Sequence, residues 1–157
     1  MNDIEQALQQ TLYEEIPITQ QLRVAVRGYD GICLTLHAPL AENINHKGTI
    51  FAGSINAVMT LAGWGSVWLL LKEAGVTANV IIQDSAISYL LPVTRDFTAV
   101  CNRPAEAPVA RFLTTLKRRG KARIELAVHI DEGERRAATF HGRYVAYASG
   151  TNGAPPV

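Results

Sequence analysis

Cysteine is nearly absent. Cys33 and Cys101 are the only two in 157 residues, they stand far apart, and neither belongs to a metal-type pair. A disulfide framework and a cysteine metal site therefore have no support, and a free buried thiol in a reducing cytoplasm is the expected state of each. The motifs of several catalytic classes are missing too. The chain has no G-x-S-x-G, no P-loop and no paired-histidine metal motif, so a serine triad, nucleotide hydrolysis and zinc catalysis lack a basis. No metal and no cofactor is expected. Excess charge of either sign is lacking: the net charge is +1 and the charged fraction 18%, which implies neither a nucleic-acid nor a membrane partner. The N-terminus carries Asn2, Asp3 and Glu5 rather than a basic region followed by an apolar one. A conventional secretory signal is thereby argued against, and a cytoplasmic location is expected.

The most informative absence is local. Between Lys47 and Lys72 no residue is charged, and the stretch opens with a polar, glycine-punctuated loop running from Asn43 to Ser54. A run of this kind approaches the roughly 20 residues that cross a bilayer. Asn56, Thr60 and Ser66, with glycines at 53, 63 and 65, argue instead for a helix buried in a protein core. Ser54 is the expected N-cap of that helix, Gly53 permits close approach, and the first N–H groups suit a developing anion. The loop and helix start can therefore hold a carbonyl oxygen.

Around this helix the chain reads as one domain with a real core. Ile4, Leu8 and Leu12 recur at helical spacing before Pro17; Leu22, Val24 and Val26, then Ile32, Leu34 and Leu36, alternate about a turn at Gly28–Gly31. The long helix is expected over 54–72, strands over Val80–Leu91 and Phe97–Cys101, and a short helix on Val109, Phe112, Leu113 and Leu116 ending at Gly120. Ile124, Leu126, Val128 and Ile130 alternate strictly, Asp131–Glu134 turns the chain, and Ala138–Tyr147 returns. Hairpins on both sides of one apolar helix predict an α+β class, with a largely antiparallel sheet whose concave face that helix fills.

Four separated segments sharpen this reading: Asn45–Ser54, Thr60–Gly65, Asp84–Val93 and Phe140–Ala146. In this order, over about residues 15–148, they resemble the YiiD C-terminal hotdog family, which is described partly as thioesterases and partly as malonyl-acyl-carrier-protein decarboxylases. The resemblance implies a single hotdog domain over 1–148, in which a curved antiparallel sheet wraps the long helix, with a flexible tail over 149–157. It also implies a homodimer or dimer of dimers, acting on an acyl-carrier-protein or coenzyme A thioester.

Many hotdog enzymes place a catalytic carboxylate on the first turns of the central helix. Here those positions read Val58 and Thr60, neither of which titrates near neutrality. Asn45 is the expected catalytic donor, an amide able to hydrogen-bond an acyl oxygen; the alternative is an asparagine that shapes its own loop. Asp84 is the second catalytic candidate, as the group that orients or activates water, or else a satisfied structural carboxylate. His46, Phe51, Gly53, Ser54, Ile55 and Thr60 are the expected substrate-binding residues. Lys117, Arg118, Arg119, Lys121 and Arg123 concentrate five positive charges in seven residues, either as a solvated helix end or as a dock for an acidic carrier protein or a coenzyme A phosphate. Three functions follow: decarboxylation of a malonyl thioester, hydrolysis of an acyl thioester, and non-catalytic carrier binding.

Overall fold

Helix α3 (Ala52–Glu73) has almost no polar side, and the rest of the chain is arranged to enclose it. The computed structural model describes residues 2–148; the expected tail at 149–157 lies outside the described residues. Six strands form one sheet in the order β1 (Ala25–Tyr29), β2 (Cys33–Ala38), β4 (Phe97–Asn102), β5 (Lys121–Glu132), β6 (Arg135–Ala148) and β3 (Ala78–Tyr89). Every pairing is antiparallel, as the hairpin pattern requires. Strands β2 to β6 all touch α3. By length and composition α3 could cross a membrane, but 72% of its most apolar window is buried inside the domain. It is the core helix, and the α+β architecture expected from the sequence is the one observed.

Three smaller helices complete the domain. Asn2 caps α1 (Asp3–Glu15) through a reciprocal box with Glu5, and Leu8 and Leu12 seat that helix in the core. A single turn, α2 (Ile18–Gln21), follows Pro17. Arg23 then adopts a left-handed φ of 53°, so β1 starts at Ala25 and not at Leu22. The turn into β2 is tighter than expected: Gly28 and Tyr29 belong to β1, and the Asp30 carboxylate accepts from the Ile32 and Cys33 amides. Helix α4 (Glu106–Arg119) ends on Gly120 at φ 69°, the left-handed cap that its position promised.

The sheet's two faces are distinguished by β6. The buried Tyr144 hydroxyl donates to the Thr60 carbonyl of α3 at 2.8 Å, so Tyr144 and its same-phase neighbours Phe140 and Gly142 face the helix. Gly63 makes room for that ring: a Cβ there would lie 2.2 Å from the Tyr144 hydroxyl. Cys101 lies in this core, where burial pushes its thiol up to about 11. It is protonated at neutral pH and is no nucleophile.

Candidate functional site

The loop before α3 is tied down on both flanks. The side-chain amide of Asn43, 2% exposed, donates to the carbonyls of Leu22 and Pro39. The Asn43 carbonyl in turn accepts from Phe51 N at 2.7 Å, and Ile50 N donates to the Val93 carbonyl at 2.8 Å. Within this frame Asn45 organises the turn. Its Oδ1 accepts from Lys47 N at 2.8 Å and from Thr49 N at 3.3 Å. Its Nδ2 donates to Thr49 Oγ1 at 2.8 Å and to the Ile50 carbonyl at 3.2 Å. Gly48, at φ 76°, permits the reversal. His46 is exposed in the same turn.

Helix α3 begins at Ala52, two residues earlier than expected. Its N-cap is Phe51, and no side chain caps it. Ser54 is therefore not the cap: it lies inside the first turn, 5% exposed, because the backbone bond from Phe51 N to Asn43 already fixes the entry angle. The first helical N–H groups are thus left without a side-chain acceptor. The exposed Phe51 ring lies over Gly53, where a Cβ would come within 2.2 Å of it. Beside this helix start is a hollow of ≈ 280 Å³ lined by Thr49, Ile50, Ala52, Ile55, Tyr89, Leu90, Leu91, Pro92 and Val93. None of these residues is charged. Tyr89 closes the hollow by donating from its hydroxyl to the Ala52 carbonyl at 3.2 Å.

Asp84 is elsewhere. From Ile82, which pairs with Tyr144 on the helix face, simple alternation would turn Asp84 inward. A bulge at Gln83 shifts the register, and Asp84 pairs instead with Arg143. It therefore faces away from α3. Arg143 Nη1 bonds the Asp84 carboxylate at 3.0 Å, and Nη2 bonds Glu125 at 2.9 Å. Asn45 and Asp84 make no hydrogen bond to one another: the Asn45 side chain bonds within its own turn, and the Asp84 carboxylate bonds Arg143.

Thr60 marks a different feature. Gly53, Asn56, Ala57, Thr60, Trp64 and Trp68 form a stripe of α3 that is not fully buried. The Asn56 Oδ1 is buried there with no hydrogen-bond partner among the described residues. The stripe ends in an aromatic hollow of ≈ 550 Å³ containing Trp64, Trp68, Tyr147 and Val80. Beyond it runs β3, a twelve-residue edge strand exposed along much of both faces. Its single charge, Asp84, is already paired with Arg143. Against pairing, this edge has only that charge and the bulge at Gln83 as guards. Ile44, Phe51, Tyr89 and Leu90, four of the six large apolar side chains that stand exposed among the described residues, gather around the helix start and the end of this strand.

The basic cluster closes α4 and opens β5. Lys117, Arg118, Arg119 and Arg123 are exposed and Lys121 half-buried, and Arg123 bonds Gln83 at 2.8 Å. A neighbouring groove of ≈ 440 Å³ adds Arg111 and Arg143 to Arg123, over a floor that includes Phe112. Thr49, Asn56, Trp64 and Tyr89 escaped the sequence reading. The i, i+4 spacing of Asn56, Thr60, Trp64 and Trp68 was the visible signal for the stripe.

Residues 5–148 match the family described as "Putative thioesterase (yiiD_Cterm)". Two solved structures are similar over nearly their whole lengths. A Chlorobaculum tepidum protein described as of unknown function is 31% identical, with a TM-score of 0.89, over 93% of this chain and 95% of that one. A Shewanella oneidensis protein described as a "putative thioesterase" is 33% identical, with a TM-score of 0.81, over 95% of this chain and 100% of that one. A Haemophilus influenzae thioesterase, 12% identical over 98% of this chain and 97% of that one, shares the fold with a TM-score of 0.73.

Proposed function

The chain belongs to the YiiD C-terminal family, and from that premise we propose that it decarboxylates a malonyl thioester, carried by an acyl carrier protein or coenzyme A, to the acetyl thioester. The family description supports an enzyme acting on thioesters. One observation favours decarboxylation: the hollow at the helix start offers hydrogen-bond donors but contains no carboxylate or histidine, while Asp84 is turned away and held by Arg143. Hydrolysis needs a group to activate water. Decarboxylation needs only a place for negative charge. The bond between the methylene and the carboxylate breaks, carbon dioxide leaves, and the electron pair becomes an enolate with its charge on the thioester oxygen. That oxygen sits against the Asn45 loop and the first N–H groups of α3, near Gly53 and Ser54, which stabilise it. A solvent proton on the enolate carbon then completes the acetyl thioester. Ile55 supplies apolar lining, and the exposed Phe51 and His46 of the entry loop are proposed to contact the substrate.

The second reading is an acyl thioesterase, favoured by the family's description and by the Shewanella relative. It requires a water-activating group from outside the hollow, and Asp84 is the candidate.

A second copy has a place to bind. Two β3 edges related by a two-fold axis pair antiparallel. Tyr89 contacts α3 at Ala52 and Val80 contacts it at Trp64, so the axis sets the helix start of one chain beside the Thr60–Trp64 stripe of the other. Asn56 and the aromatic hollow are then covered. Light scattering at micromolar concentration is expected to give at least twice the chain mass; a monomer would refute the pairing.

The basic end of α4 fits the acidic surface of a carrier protein. Reversing charge at Lys117, Arg118 and Arg119 is expected to weaken turnover of a carrier-bound thioester more than of a small thioester, with a difference that shrinks as salt rises. Equal losses on both substrates would remove the docking role.

Mass analysis of the products tests the chemistry. Incubation with malonyl-CoA is expected to yield acetyl-CoA, and Asn45→Ala, which removes the side chain that organises the donor loop, to lower the rate roughly a hundredfold. Asp84→Asn is expected to leave the rate within about threefold, as it changes only an exposed ion pair. Free coenzyme A as sole product, with Asp84→Asn inactive, supports the hydrolytic reading instead.

A further inference from the structure

We propose that Thr49 is the side chain that hydrogen-bonds the thioester oxygen and that Asn45 is its positioning residue; this deepens, and rests on, the thioester reading of the helix-start hollow. The proposal follows from counting protons. A carboxamide has two N–H groups. Both of Asn45's are engaged, one by Thr49 Oγ1 at 2.8 Å and one by the Ile50 carbonyl at 3.2 Å. Its oxygen is engaged as well, by two backbone amides of the same turn. Asn45 therefore cannot reach a ligand with its own donor unless the loop is dismantled.

Thr49 is in the opposite state. A hydroxyl has one proton and two lone pairs. Its oxygen accepts from Asn45, and among the described residues no protein acceptor takes its proton. Only two of the residues lining the hollow have polar side chains, Thr49 and Tyr89. The Tyr89 proton is directed to the Ala52 carbonyl. Elimination leaves the Thr49 O–H as the side-chain donor available to a bound oxygen. Accepting from the Asn45 amide also strengthens that hydroxyl as a donor, since successive hydrogen bonds polarise one another.

The chemistry balances without proton transfer from Thr49. As carbon dioxide departs, the electron pair of the broken C–C bond delocalises onto the thioester oxygen. The Thr49 hydroxyl and the backbone N–H groups of the α3 start hydrogen-bond that oxygen. Water then supplies the proton to carbon, and Thr49 ends as it began. This assigns the effect of Asn45 to a relay: its amide holds the hydroxyl in the hollow and fixes which way its proton points.

The test compares Thr49→Val, which keeps the shape and removes the hydroxyl, with Thr49→Ser, which keeps the hydroxyl, in the full chain with malonyl-CoA. Thr49→Val is expected to lower kcat about a hundredfold with KM within about threefold, at unchanged melting temperature and mass. Thr49→Ser is expected to retain kcat within about fivefold. If valine disturbs the loop and lowers the melting temperature, Thr49→Ala serves as the second hydroxyl-free variant, with the same expected loss. The Asn45→Ala, Thr49→Val double variant is expected to be no slower than the slower single variant, because both changes break one relay. Wild-type kcat in a folded Thr49→Val protein, or loss of activity in folded Thr49→Ser, overturns the assignment while leaving the thioester reading intact. Wild-type protein that converts neither malonyl- nor acetyl-CoA removes the thioester reading, and the assignment with it.

Discussion

The structure depends on enclosing one helix that is apolar on almost every side. A fully buried aliphatic side chain contributes about 1.5–3 kcal/mol, and α3 contributes Val58, Met59, Val67, Leu69, Leu70 and Leu71 in that state. No single flat sheet face covers such a cylinder. The antiparallel strands β2 to β6 curve around it instead, and Gly63 lets the Tyr144 ring close against its backbone. The enclosure is incomplete along the Asn56–Thr60–Trp64–Trp68 stripe. What the chain's own sheet leaves open is this stripe, which ends in the aromatic hollow of Trp64 and Trp68.

The same constraint favours the chemistry proposed for the helix start. A carboxylate on the first turns of this helix would be desolvated and costly unless paired, and the first turn of α3 carries none. A hollow lined by uncharged residues stabilises a developing oxyanion well, because donors fixed in an apolar setting are worth more than in water. It has little to offer a reaction that begins with proton abstraction. The Asp84–Arg143–Glu125 cluster lies instead on the outer surface, where solvent shares the cost of its charges. Charge on the outside and neutral donors on the inside are thus one division of labour.

Much of this was legible in the residues. The charge-free run identified the core helix, strict alternation identified β5, and Gly120 marked the end of α4. Family-specific spacing located the Asn45 loop. Two features were hidden because they depend on tertiary contacts. The Gln83 bulge inverts the face on which Asp84 lies, and nothing in a β-rich run of Val, Ile, Gln and Ser announces a slipped register. The start of α3 moved from Ser54 to Ala52 because Asn43, distant contacts included, sets the loop; a cap residue is a local signal, and here a backbone bond took its place. The engagement of both Asn45 amide protons, and the free one on Thr49, also emerges only once the loop is folded.

The central claim is that negative charge passes through an enolate held at the helix start. The most direct measurement is mass spectrometry of the thioester product formed from malonyl-CoA in heavy water. An acetyl thioester carrying one solvent deuterium in its methyl group, released with carbon dioxide at the same rate, is the predicted result. Free coenzyme A and malonate, with no carbon dioxide and no acetyl thioester, would contradict it.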